Sequence, residues 1–289
     1  MTTADRRPDG EATASGVLVD GPVDAVDATT VLLIRDGGAD RPRPEVLLLE
    51  RHVESDFAGG ALVFPGGKVD DTDRGLADQR WRGTPPSAWT DRLGVTDERQ
   101  ALGLLVAGIR ETFEEAGVLL AVRGDGSPVT GHELASESFI EARRRLATRG
   151  EHFDWRPWLE DEDLVLDLAA LGMWSWWLTP LGHHKRFDTR FLIARLPAGQ
   201  AAGFDDVEVT AMRWSTPEDA LAAWRGGTCT LIFPTRRNLE DLAAYDAVDD
   251  VLADVAADRV DRRRILPSIV RVDGVPMVRH PDGGDPHPI

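Results

Sequence analysis

The sequence predicts an α/β protein, a mixed sheet with helices set between its strands, and three observations carry that expectation. Two apolar runs, residues 28–34 and 46–50, are β-branched or Leu-rich and are separated by Gly37-Gly38, Pro42 and Pro44, the composition of a hairpin. A stretch starting at a Thr96 or Asp97 cap and reaching Ala116 holds good helix formers and sets Leu102, Leu105 and Ile109 on one stripe. It meets Gly117, the residue type that most often closes a helix in the left-handed region. Beyond it, strand-like segments alternate with helical ones, as in layered α/β architectures.

Taken in order, residues 1–26 are rich in Ala, Asp, Gly and Thr without sustained periodicity and read as a mobile tail. After the hairpin, 51–60 is a loop and 61–64 a short strand leading to Pro65-Gly66-Gly67. Residues 70–96 contain Trp81, Pro85, Pro86 and Trp89 with no clean period and read as an inserted loop. The long helix is followed by a strand over 118–122. An Ala- and Arg-rich helix over 133–148 and an acidic one over 160–171 then form a helical insertion, 131–172. Strands over 173–179 and 190–195 flank the polar loop Gly182-His183-His184-Lys185-Arg186-Phe187-Asp188. A strand over 207–214 ends at Thr216, a cap, and Pro217, a first-turn proline that opens a helix reaching Trp224. Helices over 235–245 and 248–257 follow. The last segment, with Pro267, Pro276, Pro281, Pro286 and Pro288, has short extended pieces at most. One domain over 27–258 is expected, with 259–289 as a C-terminal tail.

At 289 residues and 42% apolar content the chain can bury a full core. A formal charge of −17 gives little attraction for nucleic-acid backbones or anionic membranes, so neither is expected as a partner. The single cysteine, Cys229, excludes an intramolecular disulfide and fits a reducing compartment; with no base in evidence beside it, it reads as a small thiol rather than a nucleophile. No apolar run of a signal peptide, no stretch near 18 consecutive apolar residues and no Ser-Lys-Leu terminus is present, which makes a cytoplasmic location the expectation.

Chemistry concentrates at the end of the long helix. Glu111, Glu114 and Glu115 stand at i, i+3 and i+4, on one face, with β-carbons roughly 5 to 6 Å apart. Like charges so placed oppose one another by roughly 0.2 to 0.5 kcal/mol per pair, beside the negative end of the helix. A solvated acidic face tolerates this, whereas a hard divalent cation held by a few carboxylates, with positions left for phosphate oxygens, would use it. Arg110, one turn before Glu114, can orient a carboxylate.

Arg110-Glu111-Thr112-Phe113-Glu114-Glu115-Ala116-Gly117-Val118 resembles the second half of the Nudix box, G-x5-E-x7-R-E-U-x-E-E-x-G-U with U bulky and aliphatic; Thr112 is a mild departure. Phe64-Pro65-Gly66-Gly67-Lys68 is similar to the segment carrying the box's first glycine, assigned to Gly67. Gly67 stands 44 positions before Glu111 (111 − 67) against 15 in the family pattern, so an insertion of 29 residues (44 − 15) splits the box. Leu47-Leu48-Leu49-Glu50-Arg51, Gly60 and Phe64-Pro65-Gly66-Gly67 follow the spacing of coenzyme A-type Nudix hydrolases, with His52 and Asp56 departing from it. Trp177-Leu178-Thr179-Pro180 and Arg186 to Phe191 resemble segments of the animal peroxisomal coenzyme A diphosphatases, whose box is also interrupted.

The resemblance implies the Nudix α/β/α sandwich and Mg²⁺- or Mn²⁺-dependent hydrolysis of a nucleoside diphosphate linked to another group. Coenzyme A or acyl-coenzyme A is the leading substrate, ADP-ribose, NADH or a dinucleotide the alternative, and a nucleotide sensor without catalysis the reading from another class. It implies metal ligands at Glu111, Glu114, Glu115, the Gly67 carbonyl and a downstream acid, Glu208, with one of these glutamates as base. Asp70, Asp71 and Glu98 are the candidates to replace the displaced first box glutamate, which braces Arg110. Arg51, Gly66, Lys68, Lys185, Arg186 and Arg190 are candidates for substrate contact; for the basic cluster 185–190, neutralisation of neighbouring acids is the equal alternative. His183 and His184 point in different directions as neighbours, with no further His or Cys at ligand spacing. Homodimerisation, common in the family, is an expectation that no exposed apolar stripe localises.

Overall fold

The computed structural model describes residues 23–38, 43–52, 59–148, 150, 152–204 and 209–288. Its strands and helices run β1 (Ala25–Asp36), β2 (Pro44–Arg51), β3 (Ala61–Val63), β4 (Gly66–Lys68), β5 (Trp81–Arg82), α1 (Thr90–Leu93), α2 (Glu98–Ala116), β6 (Ala121–Arg123), α3 (Gly131–Leu134), α4 (Glu137–Ala147), α5 (Arg156–Asp161) and β7 (Leu164–Asp167). They continue with β8 (Gly172–Leu178), β9 (Arg186–Arg195), β10 (Val209–Ser215), α6 (Pro217–Arg225), β11 (Thr230–Leu231), α7 (Phe233–Leu242), α8 (Val248–Ala256), β12 (Arg264–Ile265), β13 (Ser268–Val272), β14 (Val275–Arg279) and β15 (His287–Pro288).

A mixed sheet, ordered β11-β3-β2-β1-β9-β8-β12, divides the molecule, with β10 also paired to β2 and β4 to β1. The apolar runs of β1 and β2 are continuous because both faces of the sheet are covered. Val31, Leu33, Leu47 and Leu49 join a core with α2 and the insertions, while Leu32, Ile34, Val46 and Leu48 join a second one with α6, α7 and α8. This is an α/β/α sandwich.

The hairpin places the site. β1 and β2 pair only near their turn, from Ile34 opposite Val46 to Asp36 opposite Pro44. Further along, β2 takes β3 as partner and β1 takes β4, with Thr29 opposite Gly67. Phe64 and Pro65 therefore cross from one strand's partner to the other's, and Gly66-Gly67 arrives as a strand under α2 rather than as the plain turn its glycines suggest.

α2 begins at an Asp97 cap whose side chain accepts from the Arg99 N–H, and ends at Gly117 with φ 65°. The expected stripe of Leu102, Leu105 and Ile109 is buried, and so are Leu104, Val106 and Ala107. The helix is covered on nearly every side because the insertions close over the face that the sheet leaves open.

Two sequence expectations are corrected. The helix expected over 160–171 is α5 followed by a strand: Asp163 takes φ 47°, and from Leu164 burial alternates as in a strand. Its partners are β5, from the box insertion, in parallel and β6 in antiparallel register, so the second insertion is not purely helical and the two insertions share one small sheet. The C-terminal segment, expected as a tail, adds β12 beside β8 and folds β13, β14 and β15 into an antiparallel sheet. Ile265 and Val278 enter the second core. Among the described residues no helix is long and apolar enough to cross a membrane.

His287 fastens that segment and makes it sensitive to acid. It is 4% exposed, its Nε2 lies 2.9 Å from the Leu231 carbonyl, and its ring stands 5.6 Å from those of Trp224 and Phe233. Burial, aided by the charge of Arg236, pulls its pKa from 6.5 to about 4. Because the folded value is the lower one, the unfolded chain takes the proton first. Stability from the neutral ring is complete above about pH 6.5 and is lost as pH falls toward 4. Urea unfolding should therefore show a loss on the order of 1 to 2 kcal/mol between pH 7 and pH 5 that His287→Gln abolishes; parallel pH profiles for the two proteins would contradict it.

Candidate active site

Arg110 organises the end of α2. Only 5% exposed, it donates from Nε and Nη2 to the two carboxylate oxygens of Asp73 at 3.0 and 3.1 Å, and from Nη2 to the Lys68 carbonyl at 2.9 Å. Its Nη1 donates to Glu111 at 2.9 Å and to Glu114 at 3.4 Å. Burial works against its charge, but the carboxylates of Glu111 and Asp73 outweigh burial and hold the guanidinium well above its ordinary value. Burial likewise raises Asp73 and Glu111, with Arg110 pulling both down.

Asp73 is the brace that the sequence reading missed. Asp70 lies 3.8 Å from Arg110 with its side chain half exposed, Asp71 is exposed and paired to Arg74, and Glu98 sits at the opposite end of α2, so none of the three candidates takes the role. The signal was a count. The family pattern sets its first glutamate six positions after its glycine, and Gly67 plus six is Asp73. The first half of the box is intact with aspartate for glutamate, and the extra residues begin after it: 36 residues separate Asp73 from Arg110 where the pattern has seven.

Glu115 is held from the other side. The Gly66 N–H donates to it at 2.9 Å and Arg51 at 3.1 Å, which gives Arg51 and Gly66 a role on a carboxylate. Gly67 faces Glu111 so closely that a Cβ would stand 2.2 Å from its Oε1; glycine is required there to admit the carboxylate. Lys68 contributes its carbonyl and has an exposed side chain. A cavity of about 40 Å³, room for about one water, lies against Arg110 and Glu114 and is lined also by Asp70, Thr72, Leu146, His152 and Phe153. The last three come from the helical insertion, and no spacing in the sequence ties them to the box.

The basic cluster divides. Arg190 is 2% exposed, donates to the carbonyls of Leu93 and Asp188 and to Asp27, and stacks 4.4 Å over Trp176. Arg186, also buried, donates to the carbonyls of Val23, Thr179 and Pro180. Both spend their hydrogen bonds inside the fold, which corrects their assignment to substrate; Arg190 fastens the box insertion to the sheet. Lys185 is exposed in the β8–β9 loop. Glu208 lies outside the described residues, as does Asp56.

Carboxylate and carbonyl oxygens predominate at the end of α2, a chemistry that suits a hard divalent ion. Among the described residues no three His, Cys, Asp or Glu side chains converge on one point, since Glu111 and Glu114 turn to Arg110 and Glu115 to Arg51 and Gly66.

Residues 99–240 match the family model described as the NUDT19 Nudix domain. The acyl-coenzyme A diphosphatase NUDT19 of Gallus gallus is 31% identical over 268 residues, which cover 78% of this chain and 70% of that protein. This chain belongs to the Nudix hydrolase family. The match begins at α2, so the first half of the Nudix box lies upstream of it and is joined to the second by the Arg110–Asp73 pair. The NUDT19 proteins of Homo sapiens and Xenopus laevis are 30% and 28% identical, and the chain spans 64% and 62% of their lengths. A Nudix hydrolase from Alicyclobacillus acidocaldarius shares the fold with a TM-score of 0.66 at 28% identity, over 81% of this chain and 97% of that one.

Proposed function

We propose that this Nudix hydrolase is a Mg²⁺- or Mn²⁺-dependent diphosphatase of coenzyme A or acyl-coenzyme A, releasing 3′,5′-ADP and phosphopantetheine or its acyl form. The observation that carries the reading is the rejoined box, Gly67, Asp73 and Arg110 to Glu115, beside Arg51 of the coenzyme A-type spacing. The names of the chicken, frog and human relatives support the substrate. A reducing, cytoplasmic setting fits the lone thiol of Cys229.

In this reading Glu111, Glu114, Glu115 and the Gly67 carbonyl hold the ion. The ion supplies charge neutralisation at the diphosphate and a more acidic water. The protein's own part is placement. Asp73 holds Arg110, Arg110 holds Glu111 and Glu114, and Arg51 with the Gly66 N–H holds Glu115, so the three carboxylates are kept near one another at the end of α2, each with a partner it would exchange for the ion. One of the glutamates, with Glu208 as the further candidate, takes the proton from the attacking water.

The test is a panel of coenzyme A, acetyl-coenzyme A, ADP-ribose, NADH and diadenosine polyphosphates with Mg²⁺ or Mn²⁺, the products resolved by chromatography. Release of 3′,5′-ADP from the coenzyme A compounds is the expected result. Cleavage confined to ADP-ribose or NADH would overturn the substrate and give weight to the departure at His52. Silence throughout would favour the sensor reading.

A further inference from the structure

We propose that Arg143, on α4 of the helical insertion, is a positioning residue for the glutamates of α2, and that the insertion thereby helps to set the metal site; the inference rests on the metal-dependent reading above. α2 ends in Glu111, Glu114 and Glu115 with no basic residue in its last turn. The last four carbonyls of a helix lack partners within it and carry its partial negative charge, so this end stacks negative charge on negative charge.

Two of those carbonyls are met by backbone, the Phe113 oxygen by the Gly117 N–H and the Ala116 oxygen by the Gly203 N–H, each at 2.9 Å. The two between them belong to the candidate ligands themselves, and Arg143 takes both. Its Nε donates to the Glu114 carbonyl at 2.9 Å and its Nη2 to the Glu115 carbonyl at 3.1 Å; Nη2 also donates to the Gly203 carbonyl at 2.6 Å. The guanidinium fits so tightly under the turn that a Cβ on Gly117 would lie 2.8 Å from its Nη1, which adds a steric reason for glycine to the positive φ there. One planar fork thus ties the turn from which the Glu114 and Glu115 side chains spring to the backbone at Gly203. A lysine, with a single compact charge, cannot reproduce the fork. A displacement near 1 Å at such a turn costs about 10²-fold in rate.

Full-length Arg143→Met and Arg143→Lys are compared with wild type by Mn²⁺ binding, read from the paramagnetic resonance of free Mn²⁺, by thermal midpoint, and by rates with coenzyme A. Arg143→Met is expected to weaken Mn²⁺ binding about tenfold and to lower kcat about 10- to 100-fold with KM within about twofold, and Arg143→Lys to return part of each. A folded Arg143→Met protein that binds Mn²⁺ and turns over as wild type does would overturn the proposal. Should that variant fail to fold, a folded Arg143→Lys protein with wild-type Mn²⁺ affinity and kcat would overturn it by leaving Arg143 a structural role alone. A wild type that binds Mn²⁺ but cleaves nothing sinks the coenzyme A reading instead, and the binding arm still decides for or against Arg143.

Discussion

Glu114→Gln should lower kcat/KM for the diphosphate substrate by about 10³-fold, on the order of 4 kcal/mol of transition-state stabilisation, while the thermal midpoint stays within about 3 °C of wild type. The asymmetry follows from its surroundings. Glu114 is less enclosed than Glu111 or Glu115, and at its 3.4 Å contact with Arg110 a glutamine oxygen can still accept. The amide keeps the shape and loses the anionic oxygens a divalent ion needs. Rates measured across a Mg²⁺ and Mn²⁺ titration decide it, and metal-dependent turnover near the wild-type level would remove Glu114 from the site.

Asp73→Ala should act in the reverse order, on stability first. It strips a doubly bonded, fully enclosed partner from Arg110 and leaves the buried Nε–H without an acceptor, while Glu111 and Glu114 still face Nη1; breaking a buried pair costs up to about 3 to 5 kcal/mol. Activity should fall with it, since Arg110 orients Glu111 and Glu114. Asp73→Ala combined with Arg110→Met should recover none of the activity, because the orienting group is gone, and should stay below wild type in stability, because buried Glu111 loses its 2.9 Å partner. Urea unfolding of the three proteins gives the comparison; a loss below about 1 kcal/mol for Asp73→Ala would show that the pair is not what holds the two halves of the box together.

What was legible in the sequence was what depends on near neighbours. The stretch from the Asp97 cap to Gly117 obeys helix rules along its whole length, and the hairpin and the Thr216-Pro217 helix start follow from local turn and cap chemistry. The glutamate face follows from helical spacing alone. Asp73 is legible too, since its six-residue distance from Gly67 precedes the insertion. Arg186 and Arg190 were a different matter. A cluster of basic residues has the same composition whether it meets a phosphate or a set of carbonyls, and only the pairing of β9 with β1 shows that Arg190 faces Asp27 and Leu93. Leu164–Asp167 escaped because four residues of alternating burial are too short to outweigh the helical composition around them; the strand is fixed by β5 and β6, which are distant in the chain.

The small sheet of β5, β7 and β6 also bears on how such a protein is taken apart or rebuilt. Cutting out 74–97 to shorten the interruption of the Nudix box would remove β5 and bare one edge of β7, an invitation to pair with another chain. Cutting out 131–172 would remove β7 and leave both β5 and β6 without a ladder. Neither segment is a module in its own right. A chimera on another Nudix scaffold would have to carry both, transplanted as one piece, although 33 residues, Glu98 to Thr130, lie between them in the chain.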